Sequence, residues 1–186
     1  MSFNLRDYVV VFENVISDEL CDEVLSEYIN DKNWTNAITK TGLRQDSRKC
    51  DNINMSDDFI INQNRDKRKS IDDKLYKIAG EIIRKYKEKF VNTNIDGDSG
   101  YILLRYQEGD FYKQHTDYFL QQPRSLSCSF ALNDNYEGGE WGLFDREMVI
   151  KVPKGSALMF PSNFMYPHEI MPVTKGTRYS LATWFI

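Results

Sequence analysis

The stretch Tyr101-Ile-Leu-Leu-Arg-Tyr106-Gln-Glu-Gly109-Asp-Phe-Tyr112-Lys-Gln-His115-Thr-Asp117 is where the texture of the chain changes. Two short runs, Tyr101–Tyr106 and Tyr112–Asp117, flank a glycine-centred turn, which reads as strand, turn, strand. Further short runs follow at Ser125–Leu132, Glu140–Phe144, Met148–Val152, Ala157–Phe160, His168–Met171 and Arg178–Phe185. Short strands at roughly ten-residue spacing predict an antiparallel sandwich, barrel or jelly roll.

Upstream of the Asn92–Gly100 turn cluster the pattern is different and reads mostly helical. Ser17 is a good N-cap, Asp18 and Glu19 fill the first turn, and Leu20, Val24, Leu25 and Tyr28 recur at helical spacing to about Asn30. A longer helix is expected from about Ser70 to Phe90, with Ile71, Leu75, Ile78, Ala79, Ile82, Ile83 and Tyr86 as its apolar stripe. Between the two, Thr35 to Asn64 is polar and irregular, carries Trp34 at its border with Arg44, Arg48 and Lys49 inside it, and has room for a short helix after Ser56. Arg65 to Lys89 holds ten Lys or Arg against five Asp or Glu, which reads as a solvated outer helix face. Helices first and strands second, within 186 residues, give an α+β expectation: one domain, 1–186, with 1–95 supporting a β core at 96–186.

Composition narrows the function classes. Lys plus Arg is 24 against 28 Asp plus Glu, a net charge of -4, which argues against a general nucleic-acid or anionic-membrane binder. Three widely spaced cysteines, Cys21, Cys50 and Cys128, suit neither a disulfide framework nor a cysteine zinc site and fit a reducing, cytoplasmic setting. The longest apolar run near the start, Tyr8–Phe12, is too short for a signal or membrane segment. Only two histidines are present, His115 and His168, so any imidazole chemistry runs through them.

His115 and Asp117 are two apart, so on an extended strand their side chains share a face, about 7 Å apart at Cα. With the distant His168 they would make a two-histidine, one-carboxylate triad that covers one face of an octahedral Fe(II). Ten residues on, Gly176-Thr-Arg178-Tyr-Ser180 places an arginine in an apolar strand, where it needs either an internal Asp or Glu or a ligand carboxylate. Other features read as structural: Gly138-Gly139 as a turn, Cys128 as a buried thiol, Trp141 and Trp184 as core, Glu140 and Glu169 as acids outside the ligand set.

Tyr106-x-x-Gly109-x-x-Tyr112-x-x-His115-x-Asp117, then Leu132-Asn133, Gly138-Gly139-Glu140, Pro153-x-Gly155, Phe160-Pro161-Ser162, His168 and Gly176-x-Arg178-x-Ser180 together resemble the prolyl 4-hydroxylase-like 2-oxoglutarate and Fe(II)-dependent dioxygenases. The resemblance covers about residues 101 to 186. It implies a double-stranded β-helix, or jelly roll, with iron held by His115, Asp117 and His168. It further implies that Arg178 pairs with the far carboxylate of 2-oxoglutarate, that Tyr106 or Tyr112 donates a hydrogen bond to the same cosubstrate, and that Ser180 assists. O2 is the oxidant, with ascorbate a candidate accessory reductant. The helices then look like the family's supports for the larger sheet, and Thr35–Asn54 like its substrate-covering loop. Some collagen-type relatives carry lysine in place of Arg178, and the oxygen-sensing relatives carry tyrosine in place of Ala131.

The expected activity is hydroxylation of peptidyl proline with release of succinate. A free amino acid or other small molecule is the second substrate class and alkylated nucleic acid the third. Outside that class stand a zinc-binding or non-catalytic jelly-roll module.

Overall fold

The computed structural model describes residues 4–39, 42–91, 93–95, 97–121 and 123–186. Asn92 and Asp96 of the expected turn cluster, and Lys40 and Thr41 of the Thr35–Asn54 stretch, therefore lie outside the described residues, as do residues 1–3 of the N-terminal run. A short 3-10 turn, Leu5–Tyr8, leads into β1 (Val10–Phe12) and α1 (Asp18–Tyr28), followed by β2 (Thr35–Asn36), β3 (Arg48–Lys49) and β4 (Asp51–Asn54). Helices α2 (Asp58–Asn62) and α3 (Arg65–Lys89) come next. The remaining strands are β5 (Ile102–Tyr106), β6 (Phe111–His115), β7 (Leu126–Ala131), β8 (Glu137–Gly138), β9 (Trp141–Leu143), β10 (Met148–Ile150), β11 (Ala157–Pro161), β12 (His168–Ile170), β13 (Val173–Lys175) and β14 (Arg178–Phe185).

The strands form a seven-stranded sheet in the order β1-β11-β7-β14-β5-β4-β2 and a five-stranded sheet in the order β10-β9-β12-β6-β3, with β13 and β8 as a separate ribbon. All of these pairings are antiparallel. This is the jelly-roll arrangement expected from the strand spacing.

Period-two alternation sorts each strand of the large sheet between two environments. Leu103, Phe130, Met159 and Leu181 share one core with Leu20, Val24 and Tyr28 of α1 and Ile71, Leu75, Ala79, Ile82 and Tyr86 of α3. Each such fully buried aliphatic side chain contributes about 1.5–3 kcal/mol. The alternate positions of β14, Arg178, Ser180, Ala182 and Trp184, line a cavity instead. Ser17 caps α1 as expected, its Oγ accepting from the Leu20 amide at 3.2 Å.

Three expectations need correction. The first half pairs its helices with four short strands, β1 to β4, which the sequence reading did not mark. β2 and β3 are short and polar and sit at sheet edges, where one side of the strand faces outward and no apolar alternation is required, whereas β1, also at an edge, is the apolar Val10-Val-Phe12. The long helix starts five residues early, at Arg65. Its basic face is also interrupted: Arg68 is buried, donating from Nε to Glu27 at 2.8 Å and from Nη1 to the Ile60 carbonyl at 2.9 Å, and pairing with the buried Asp31. Charge counting could not separate this one arginine from its exposed neighbours.

Candidate metal centre and cavity

Strands β6 and β12 are paired with His115 directly opposite His168. Asp117 lies two residues beyond the end of β6, which stops at His115 rather than running on to Asp117 as the sequence suggested. The carboxylate lies within reach of both imidazoles: His115 Nε2 is 3.6 Å from Asp117 Oδ1, and His168 Nε2 is 3.5 Å from Asp117 Oδ2. One ligand atom from each of the three residues lies within 4.8 Å of the others.

The surroundings fix the orientation of these donors. His115 Nδ1 meets the Lys113 carbonyl at 2.9 Å, and His168 Nδ1 meets the Tyr166 carbonyl at 3.0 Å. A carbonyl only accepts, so in each neutral ring the proton sits on Nδ1 and the Nε2 lone pair faces the cluster. Burial pushes His168 down to about 4, against an upward pull from Asp117, which keeps it neutral. Burial alone would raise the Asp117 carboxyl; the two histidines and a hydrogen bond from Trp184 outweigh it and hold the group well below the usual carboxylate range. Ser127 Oγ donates to Asp117 Oδ2 at 2.7 Å and lies 2.8 Å from Ser162 Oγ. Two neutral imidazole nitrogens and one anionic oxygen form a donor set suited to Fe(II) with open positions.

Aromatic rings wall the cluster. Tyr112 stacks on His115 with centroids 3.5 Å apart, while Phe160 and Trp141 lie 4.7 and 5.6 Å from His168. The cluster opens on a cavity of about 360 Å³, within the range of small-molecule sites. All seven residues singled out from sequence line it: His115, Asp117 and His168, with Tyr106, Tyr112, Arg178 and Ser180.

Arg178 is 3% exposed, sits opposite Tyr106 across the β14–β5 pairing, and donates from Nη1 to Ser180 Oγ at 2.8 Å. Among the described residues no Asp or Glu lies within ion-pair distance of it, so the internal-pair alternative fails. Space for the side chain comes from Gly139, whose φ of +69° and whose missing Cβ, which would lie 3.0 Å from Arg178 Cδ, both require glycine. Tyr106 is fully buried, and burial pushes its hydroxyl up from the ordinary tyrosine range, against a downward pull from Arg48 and Arg178.

Trp141 and Trp184 both line the cavity, a further correction to the sequence reading, although Trp141 also packs against the core. Period-two counting from Arg178 through Ser180 and Ala182 would have placed Trp184 on that face. Arg124, Arg48 and Ser127 also line the cavity and carried no signal in the sequence, since each depends on pairings between distant segments. Ile38, Thr39, Arg48 and Asn52 bring the Thr35–Asn54 stretch to the cavity wall. Glu169 is engaged by Arg146 and stays outside the ligand cluster, while Cys128 is buried, with its thiol pushed up by burial.

A jelly roll carrying a two-histidine, one-carboxylate cluster beside a buried arginine with no carboxylate partner among the described residues is an arrangement that suits a mononuclear metal-dependent oxygenase. Residues 101–186 match the sequence model of the 2OG-Fe(II) oxygenase superfamily. That superfamily implies Fe(II), 2-oxoglutarate and O2 as reactants. A PKHD-type hydroxylase of Idiomarina loihiensis is 35% identical over 88 residues, covering 44% of this chain and 39% of the relative. One from Xylella fastidiosa is 36% identical over 96 residues, covering 43% and 41%. The chain thus spans about two fifths of the length of these curated relatives. In overall fold it is similar to a Trichoplax adhaerens prolyl hydroxylase in complex with a hypoxia inducible factor peptide fragment, with TM-score 0.76 and 19% identity over 96% of this chain and 83% of that one. A Pseudomonas putida prolyl-4-hydroxylase gives TM-score 0.71 and 18% identity over 96% and 92%. Among the described residues no helix is long and apolar enough to cross a membrane.

Proposed function

We propose that the chain is an Fe(II)- and 2-oxoglutarate-dependent hydroxylase acting on a prolyl residue of a peptide or protein, with 1–186 working as one domain. The observation that carries this reading is a single cavity lined both by the His115, Asp117 and His168 cluster and by the unpaired Arg178. Bound at the cluster, Fe(II) supplies O2 activation coupled to decarboxylation of 2-oxoglutarate to succinate and to hydroxylation of a substrate C–H bond.

The chain's own contribution is positional. His115 and His168 offer Nε2 and Asp117 a carboxylate oxygen, with Ser127 holding that carboxylate in place. Arg178 takes the remote carboxylate of 2-oxoglutarate through its planar fork, steadied by Ser180. Tyr106 or Tyr112 adds a hydroxyl donor to the same cosubstrate, and Trp141 and Phe160 keep water from the flank of His168. The anion-binding arginine has no evident use in a zinc hydrolase. A peptide target is supported by the fold-level likeness to prolyl hydroxylases, one of them holding a peptide.

The test is anaerobic Fe(II) titration with 2-oxoglutarate, followed by turnover with proline-containing peptides in the presence of ascorbate. A weak visible charge-transfer band, succinate release and a peptide gaining one oxygen are expected. His115→Ala, Asp117→Ala and His168→Ala should each abolish succinate formation. No band in the wild-type protein, or full turnover in all three variants, would sink the assignment.

A further inference from the structure

Among the described residues, three buried side-chain donors in this cavity have no hydrogen-bond partner: Arg48 Nε, Arg124 Nε and Trp141 Nε1. All three are N–H groups on side chains that cannot accept, so the cavity is matched to an acceptor-rich ligand. The charges point the same way. Among the described lining residues the formal charges are Arg48, Arg124 and Arg178 against Asp117 alone. A divalent metal with Asp117 keeps one positive charge and Arg178 adds another; the 2-oxoglutarate dianion cancels both. Arg48 and Arg124 are left without a counter-charge.

These two guanidiniums flank the ligand cluster. Arg48 lies over the Tyr112 ring, 4.5 Å from its centroid, and that ring stacks in turn on His115. Its Nη1 is occupied by the Ile38 carbonyl at 3.1 Å. Arg124 stacks 3.7 Å from the Trp184 ring centroid and reaches the Asp117 carbonyl from Nη1 at 3.4 Å. Each is therefore held in place by an aromatic face and a main-chain oxygen while its Nε remains open. Charged side chains held away from full solvation without an anion are costly.

We propose that the primary substrate carries a carboxylate close to the carbon that is hydroxylated, and that Arg48 and Arg124 recognise it. The proposal rests on the hydroxylase reading above. The carboxylate has two sources: the α-carboxylate of a free amino acid, or an acidic side chain next to the target residue in a peptide. A polyphosphate substrate is disfavoured by the net charge of -4 over the whole chain.

The experiment measures binding to protein loaded with Mn(II) and 2-oxoglutarate under anaerobic conditions, so that no turnover is needed. One arm compares L-proline with L-prolinamide. The other compares blocked peptides carrying Asp beside proline with their Asn counterparts. One of the two acid members should bind at least about tenfold tighter than its neutral partner, the scale of one hydrogen bond to a charged group. Arg124→Gln and Arg48→Gln should each shrink that preference, and Arg124→Lys, which keeps the charge, should retain part of it. Equal binding of acid and neutral members in both arms overturns the proposal without any variant. So does a preference unchanged in both glutamine variants. Failure of the hydroxylase reading is seen separately, as the absence of the Fe(II)–2-oxoglutarate charge-transfer band in the wild-type protein.

Discussion

Two buried arginines should respond to the same substitution in opposite ways. Arg68 is held by Glu27 and the almost fully buried Asp31, both desolvated along with it. Arg68→Met strands two carboxylates, and breaking a buried pair from one side costs about 3–5 kcal/mol. At about 2–4 °C per kcal/mol for a domain of this size, the melting temperature should fall by roughly 6–20 °C. Arg178 is equally buried but, among the described residues, has Ser180 as a hydrogen-bond partner and no carboxylate within ion-pair distance. Arg178→Met removes an uncompensated desolvation penalty and fills the same volume, so the cosubstrate-free protein should melt at the same temperature or higher. The cost appears on binding instead: losing two charge-assisted hydrogen bonds of about 1.5–3 kcal/mol each weakens 2-oxoglutarate by roughly 10²–10⁴-fold. Calorimetric melting of both metal-free variants, with an anaerobic 2-oxoglutarate titration, reads the two effects separately. The reasoning fails if Arg178→Met loses as many degrees as Arg68→Met, or if it binds 2-oxoglutarate like the wild type.

Other outcomes follow from the site. His168 is held at about 4 against an ordinary 6.5, so between those values the unfolded chain binds more protons than the folded one. The metal-free protein should then lose about 2 kcal/mol of stability between pH 6.5 and 5, measured by urea unfolding, and an identical pH slope in His168→Gln would contradict this. Ser127→Ala removes the hydroxyl that orients Asp117 and should lower Fe(II) or Mn(II) affinity about 10–100-fold; an unchanged titration would show that Ser127 does not orient the ligand. Gly139→Ala places a methyl against Arg178, Val173 and Tyr136 at a left-handed φ, and should cost about 1–3 kcal/mol together with weaker 2-oxoglutarate binding. Wild-type stability in that variant would mean the turn relaxes freely.

The β core was legible because its strands are short, bounded by turn residues and sorted by period-two alternation, as in Arg178, Ser180, Ala182 and Trp184. The metal cluster was legible because histidine is so scarce that His115 and His168 had no competitors. What escaped depended on pairing between distant segments. Arg48 reaches the cavity only because β3 aligns it with Tyr112 on β6, and nothing local in Ser47-Arg48-Lys49 records that register. Arg124 stands just before β7, and its role depends on Trp184, sixty residues on, arriving beneath it. Arg68 was misread for the same reason, since its carboxylates come from α1 and the segment just after it.

β14 follows every other strand in the sequence, yet it lies inside the large sheet between β7 and β5. During synthesis those two neighbours must wait with unpaired edges facing a vacant slot until Arg178–Phe185 leaves the ribosome. Strand pairing over such sequence separations is slow, and open edges are templates for aggregation. The nascent chain therefore has its greatest need of chaperone protection just before β14 emerges. Insertion of that strand then closes the sheet and delivers Arg178 to the cavity in one event, so that a ribosome-bound chain stopped short of residue 178 can complete neither its core nor the cavity wall.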